Sequence, residues 1–262
     1  MNPHSFWKKY EFKANQTLSF KAGYTEVLVK RTSNSWLIRN IVHDQATESL
    51  VTEEIEELGN DSEVFHFQTG KSNQLILLPA FPTKAVVFGN NKKIKIRAGE
   101  SANLFFRIPL TMQFYFQEVK DENRIFEMPL QRLSDTWFGD ADNGEPAFSI
   151  GNNYYTDLSE INALPWEAIC PVDIINNTTG IFELQRLILR VEDFSIYLKN
   201  KQLFSNHVEI EFRGLEHVGN ISLMVKNEIH GQKPALIARP RATGGRNLLR
   251  KSFFFIKNIY QS

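Results

Sequence analysis

Lys93-Ile94-Lys95-Ile96-Arg97 alternates charged and apolar residues without a break, and His207-Val208-Glu209-Ile210-Glu211-Phe212-Arg213 repeats the pattern. Successive strand side chains point to opposite faces, so each segment presents one wet face and one buried face. A helix has no use for a period of two. Runs rich in β-branched and aromatic residues recur at 25–30, 64–67, 85–88, 104–108, 113–116, 187–191, 195–198, 221–225 and 252–256. Turn signals separate them, such as Gly89-Asn90-Asn91, Asn143-Gly144, Gly151-Asn152-Asn153 and Gly219-Asn220. Short strands spaced this way predict an all-β fold, an antiparallel β-sandwich-like arrangement. Alternating strand and helix patterns are missing, which argues against a doubly wound α/β fold.

Two segments read as short helices. Residues 47–58 place Leu50, Val51, Ile55 and Leu58 among glutamates at helical spacing. Residues 157–166 hold one turn, capped by Asp157 or Ser159 and ended by Pro165. The polar stretch 117–123 would divide the chain into two β lobes, 1–118 and 119–262, unless later strands return to the first sheet. With 262 residues the chain is long enough for a sizeable core, and its 21 phenylalanines supply the bulk to fill one.

Equal numbers of acidic and basic residues, 30 of each, remove the global electrostatic case for a nucleic-acid binder. A single cysteine, Cys170, excludes an internal disulfide and any multi-cysteine metal site. It sits in an apolar, strand-like setting where a buried thiol is inert. No apolar run approaches the roughly 20 residues of a membrane-spanning helix. The N-terminus has no apolar stretch after Lys8-Lys9, so it does not read as a secretory signal. The expected compartment is the cytoplasm.

Charge is segregated locally. Asp44, Glu48, Glu53, Glu54, Glu56, Glu57, Asp61 and Glu63 follow one another with no lysine or arginine between His43 and Glu63. From Lys226 onward there are eight lysines and arginines against one acid, Glu228. Each stretch is either a solvated face, with the two attracting one another, or a docking surface for a charged partner.

Three constellations are candidates for chemistry. The loop around Trp137, Gly139 and Asn143 carries four carboxylates, Asp135, Asp140, Asp142 and Glu145. Oxygen ligands of this kind suit a divalent cation, the one cofactor the sequence suggests. Gly144 stands where a calcium loop needs its third oxygen ligand, so the helix–loop–helix template fails. Paired carboxylates could instead perform acid–base chemistry, or the loop could be a polar turn built on Asn143-Gly144. The second constellation is Arg239, Arg241 and Arg246 beside Gly244-Gly245, a set able to grip an anion or to remain an exposed loop. No Gly-rich nucleotide motif and no Gly-x-Ser-x-Gly elbow accompanies either. The third is aromatic: Trp137 and Tyr154-Tyr155, among loop residues, could stack on sugars. The six histidines share no metal spacing, and His66 between Phe65 and Phe67 reads as structural.

An order of motifs through the middle of the chain adds a further clue. Arg97-Ala-Gly-Glu-Ser101 is followed by Phe106-Arg-Ile-Pro-Leu110 and the aromatic strand at 113–116. Arg124-Ile-Phe-Glu-Met-Pro-Leu130 then runs into Trp137-Phe-Gly139 and Gly144-Glu145, and later come 172–176, 187–191 and 194–198. Over residues 20–230 this order resembles a prokaryotic family known as domain of unknown function 432, from which the acidic stretch at 44–63 departs as an insert. The resemblance implies no catalytic residue. It implies a partner at the inner face of a membrane, of the mechanosensitive-channel type. The function expected is therefore a non-catalytic binding or regulatory module that docks a protein partner. The alternatives are a metal-dependent small-molecule enzyme using loop 135–145, and a carbohydrate-binding sandwich.

Overall fold

A computed structural model describes residues 3–59, 63–68, 72–139, 142, 144–151, 154–213, 221–226 and 234–241. The fold is all-β. The strands are β1 (Lys9–Glu11), β2 (Thr17–Arg31), β3 (Ser35–Ile55), β4 (Phe65–Gln68), β5 (Gln74–Ala80), β6 (Val86–Ile96), β7 (Ser101–Pro109), β8 (Thr111–Phe116) and β9 (Arg124–Pro129). They continue as β10 (Ser134–Phe138), β11 (Glu145–Ser149), β12 (Glu167–Asn176), β13 (Phe182–Leu189), β14 (Ile196–Lys199), β15 (Gln202–Phe204), β16 (His207–Phe212), β17 (Ile221–Lys226) and β18 (Ala235–Ala238). Helical structure among the described residues is slight: α1 (Pro3–Phe6) and single 3-10 turns at Asp121–Asn123, Leu158–Glu160 and Val191–Asp193.

The strands form four sheets, ordered β1-β5-β8-β9, β10-β11-β6-β13, β2-β3-β4, and β17-β16-β12-β15-β14-β18 with β7 added to β12. Pairing is antiparallel except where β11 meets β6 and where β12 meets β15 and β16. Several pairings join strands far apart in sequence; among them β7 runs the length of β12, and β6 pairs β13. One large core cluster draws on all four sheets, from Phe20 and Trp36 through Phe114 and Val86 to Ile174 and Phe212. Phe20 links Phe6 and Phe114 edge-to-face, at centroid distances of 6.4 and 5.7 Å. The abundant phenylalanines therefore fill the space where sheet faces meet.

Two sheets are covered on both faces. Phe105, Ile169, Tyr197 and Phe204 form an outer cluster on the β7–β12–β15–β14 surface, roofed by Tyr155, Leu158, Ile161 and Ala163. The roof is set by the turn at Leu158–Glu160, where the Asp157 carboxylate accepts from the Ser159 amide at 2.8 Å, the cap expected from the sequence. Ala85, Val87, Phe138, Ala147 and Ile188 form the outer cluster of the sheet containing β6. Pro171 sits on β12 between the stretch bonded to β15 and the stretch bonded to β16. The Ile169 carbonyl, two residues earlier, points to that edge and takes the Ser205 amide at 2.9 Å. The donor that proline lacks would face the same edge, at the changeover, where no partner needs it.

The helix expected at 47–58 is not there. These residues extend β3, with Thr17–Lys21 of β2 pairing Val51–Ile55. Leu50 is fully buried, and the β-branched Thr47, Val51, Thr52 and Ile55 suit a pleated ribbon. Tertiary pairing overrides the helical spacing of Leu50, Val51, Ile55 and Leu58. The hairpin is pinned at its bulge. Gly23 has φ +56°, and a Cβ built there would overlap the Leu130 carbonyl oxygen. Tyr24 donates its amide to that same oxygen at 2.8 Å, and the Thr25 hydroxyl reaches the Pro129 carbonyl at 2.6 Å. The strand expected at 221–225 is β17. The one expected at 252–256 lies outside the described residues.

Candidate functional site

The carboxylate loop is built on the β10–β11 ladder, in which Asp135 faces Phe148 and Phe138 faces Glu145. Residues directly opposite share a face, and side chains alternate along a strand. Asp135 and Glu145 therefore point to opposite faces, separated by three residues or about 10 Å along the strand. Asp135 is exposed and accepts from Lys84 Nζ at 2.6 Å, while that ammonium also sits 4.8 Å from the Phe148 ring centre. Glu145 receives Arg190 Nη2 on both oxygens, at 2.5 and 2.6 Å. One cation has no geometry in which both carboxylates ligate it. Asp142 lies in an exposed turn. Asp140 and Asn143 lie outside the described residues, and among those residues no group of three His, Cys, Asp or Glu side chains could hold a metal ion.

The aromatic candidates separate as well. Trp137 is 47% exposed, and its carbonyl accepts from Arg186 Nη2 at 3.0 Å. Gly139 follows β10 with φ +112°. Tyr155 exchanges two backbone hydrogen bonds with Phe105, at 2.9 and 3.0 Å, and belongs to the roof of the outer cluster. Tyr154 packs on the main core. No row of exposed rings forms from the three. Cys170 is fully buried, and burial pushes its thiol up to about 12 despite a hydrogen bond with Ser205, which makes the expected inertness quantitative. His66 is exposed on β4.

Arg239 and Arg241 do come together, in a groove of about 490 Å³. Its floor is the outer face of the β1–β5–β8–β9 sheet. Met112, Phe114 and Phe116 of β8 point into the core, so Thr111, Gln113 and Tyr115 point the other way. Glu127 stands opposite Gln113, and Leu78 of β5 flanks it on the other side. The residues just after β18 close the groove. Arg241 Nη1 donates to Glu127 Oε2 at 2.9 Å, Nη2 donates to Glu127 Oε1 and to Thr111 Oγ1 at 2.8 Å, and Nε donates to the Phe81 carbonyl. Gln113 Nε2 donates to Glu127 at 2.9 Å, and the Tyr115 hydroxyl donates to Gln113 Oε1 at 2.6 Å. Burial alone would raise the Glu127 pKa, but hydrogen bonds from Arg241 and Gln113 and the charges of Arg241 and Arg124 hold it below the usual carboxylate range. Burial raises the Tyr115 hydroxyl against the pull of Arg124.

Arg246 lies outside the described residues. Glu127 and Gln113 lie in segments that carry the family resemblance, but no local pattern ties them or Thr111 to Arg241, more than a hundred positions away. One hint was present: a glutamine in the otherwise aromatic strand Met112-Gln113-Phe114-Tyr115-Phe116, which a buried sheet tolerates only with partners.

The acidic stretch also has a defined place. Asp44, Glu48, Glu53, Glu54, Glu56 and Glu57 are all exposed, along β3 and just beyond it. Glu54 takes Gln16 Nε2 at 2.9 Å. The other five have no basic partner among the described residues. On the side of β3 away from β2, β4 covers only Ser35–Ile38, and no described strand pairs beyond that point. The strand is held from beneath, the Trp166 indole donating to the Thr47 carbonyl at 2.9 Å. Asp61 lies outside the described residues.

No helix among the described residues is long and apolar enough to cross a membrane. A model of the family described as "Protein of unknown function (DUF432)" matches residues 6–257. No curated protein and no solved structure matches the chain.

Proposed function

The chain belongs to the DUF432 family, and from that premise we propose that it is a cytoplasmic, non-catalytic binding and regulatory module that docks a protein partner through the acidic face of β3. The observation that carries the reading is that Asp44, Glu48, Glu53, Glu56 and Glu57, along β3 and just beyond it, are all exposed and none is in an ion pair with a described basic side chain. Like charges held side by side repel, and a complementary partner relieves that repulsion while steering encounter. On its edge away from β2, β3 beyond Ile38 is paired by no described strand, which suits strand addition by a basic segment. An inner-membrane channel is the partner class implied by the family resemblance. The carboxylates of loop 135–145 support a metal-dependent enzyme less well, because Asp135 and Glu145 are paired to separate cations on opposite faces.

The test is affinity isolation of the tagged protein from membrane and cytosolic fractions, side by side with the variant E48K/E53K/E56K. The reading predicts a stoichiometric partner in the membrane fraction that the variant loses, with melting shifted by no more than about 2 °C because the changes are on the surface. Equal capture by the variant, or no partner in either fraction, contradicts it.

A further inference from the structure

We propose that the groove between the β8–β9 ladder and residues 236–241 binds a small amphiphilic anion, a phosphate or carboxylate head carried on an apolar body. The inference is independent of the docking face on β3. A volume of about 490 Å³ falls within the range of small-molecule sites. Its lining is divided by chemistry. Leu78, Val119, Leu236 and Ile237 supply apolar lining, and Lys120, Arg124 and Arg239 supply positive charge. Val119 and Leu236 are 52% and 50% exposed, two of the few large apolar side chains among the described residues left that open to water. Both lie on the same groove as the cations.

The cations are not equally available. Arg241 is committed to Glu127, Thr111 and the Phe81 carbonyl, so it braces the groove and neutralises the carboxylate behind it. Lys120 is 2.8 Å from Glu118 at the exposed rim. Arg124 is hydrogen-bonded to the Tyr115 hydroxyl and holds Asp121 and Glu127 only loosely, at 3.7 and 3.9 Å. Arg239 has no acidic partner among the described residues. The Arg239 fork therefore faces the groove uncommitted to any described acid, with Arg124 beside it keeping donors beyond the one given to Tyr115, and such forks bind phosphate or carboxylate bidentately. At the floor the Tyr115 hydroxyl donates to Gln113 and accepts from Arg124, which anchors that guanidinium at the groove. A purely inorganic anion would leave Leu236 and Val119 wet. A purely apolar ligand would bury Arg239 without a counter-charge. An amphiphilic anion satisfies both kinds of lining residue.

The experiment is isothermal titration of the full chain with octyl phosphate, kept below micelle formation, alongside inorganic phosphate and octanol. The proposal predicts saturable binding of octyl phosphate, with one molecule per chain. Each control should bind at least about tenfold more weakly, since burying even a few methylenes contributes that factor. R239E and L236D should each weaken octyl phosphate about tenfold or more without altering the melting of the free protein. A second arm measures co-sedimentation with phosphatidic-acid vesicles. Sedimentation that R239E abolishes supports the site with a membrane lipid as the source of the head. Binding of soluble octyl phosphate without sedimentation supports it with a free metabolite as the source. No saturation up to about 5 mM octyl phosphate, beyond which an affinity carries little specificity, overturns the proposal. Undiminished binding by both R239E and L236D overturns it equally.

Discussion

Replacing Arg241 by methionine keeps most of the side chain's length and apolar stem but removes the guanidinium. Five contacts surround that group or its amide: two to Glu127, one each to Thr111 and the Phe81 carbonyl, and the Arg241 amide bond to Glu192 O at 3.0 Å. Only the backbone bond survives the change. Glu127 is left with Gln113 and a weak contact to Arg124, in a site where its side chain is 21% exposed. Breaking a fully buried pair costs about 3–5 kcal/mol, and residual solvent access lowers this to about 2–3 kcal/mol. For a chain of this size that corresponds to roughly 5–10 °C in melting temperature. The pH dependence carries a sign. Because the folded Glu127 pKa is depressed, its contribution is fully present above the unfolded value of about 4.3 and is lost as pH falls through the lower folded value. In R241M that contribution is already gone. The gap between wild type and variant, read by thermal denaturation followed by circular dichroism, should therefore be largest near neutrality and narrow below about pH 4. A gap under about 2 °C at pH 7, or one unchanged down to pH 3, would refute the reasoning.

Other sites make independent predictions. Gly23→Ala meets both a positive φ and the Leu130 carbonyl, and should cost about 2–4 kcal/mol in chemical denaturation; a loss below about 1 kcal/mol would mean the hairpin is not held as described. Asn176 is wholly buried, donates to the carbonyls of Ile96 and Gly180, and accepts from Thr178. Asn176→Ala should destabilise by about 3 kcal/mol, and a neutral outcome would show that these bonds exchange freely with water. Cys170 should react with a thiol reagent only as fast as the chain opens, and a fast reaction in native buffer would contradict its burial.

The strand content was legible because burial and alternation share one period. Lys93–Arg97 and His207–Arg213 each have a single face to bury, and both lie in strands. The cap at Asp157 was legible because its partner is two residues away. Residues 47–58 misled because Leu50, Val51, Ile55 and Leu58, at spacings of three and four among glutamates, look like one face of a helix. What decided the matter was pairing with Thr17–Lys21, which no local window contains. The loop carboxylates were visible as a cluster, yet a two-residue periodicity sends Asp135 and Glu145 to opposite faces. The Arg241–Glu127 pair was half legible: the arginine was conspicuous, and its acid lies 114 positions away.

The central claim, docking through the acidic face of β3, is tested most directly by photocrosslinking in living cells. A photoreactive residue placed at Glu48 is compared with one at Glu160, in the turn that sets the roof over the β7–β12–β15–β14 surface. The account predicts one discrete adduct from position 48, found with membranes, and none from position 160. No adduct from position 48, or the same adduct from both, would contradict it.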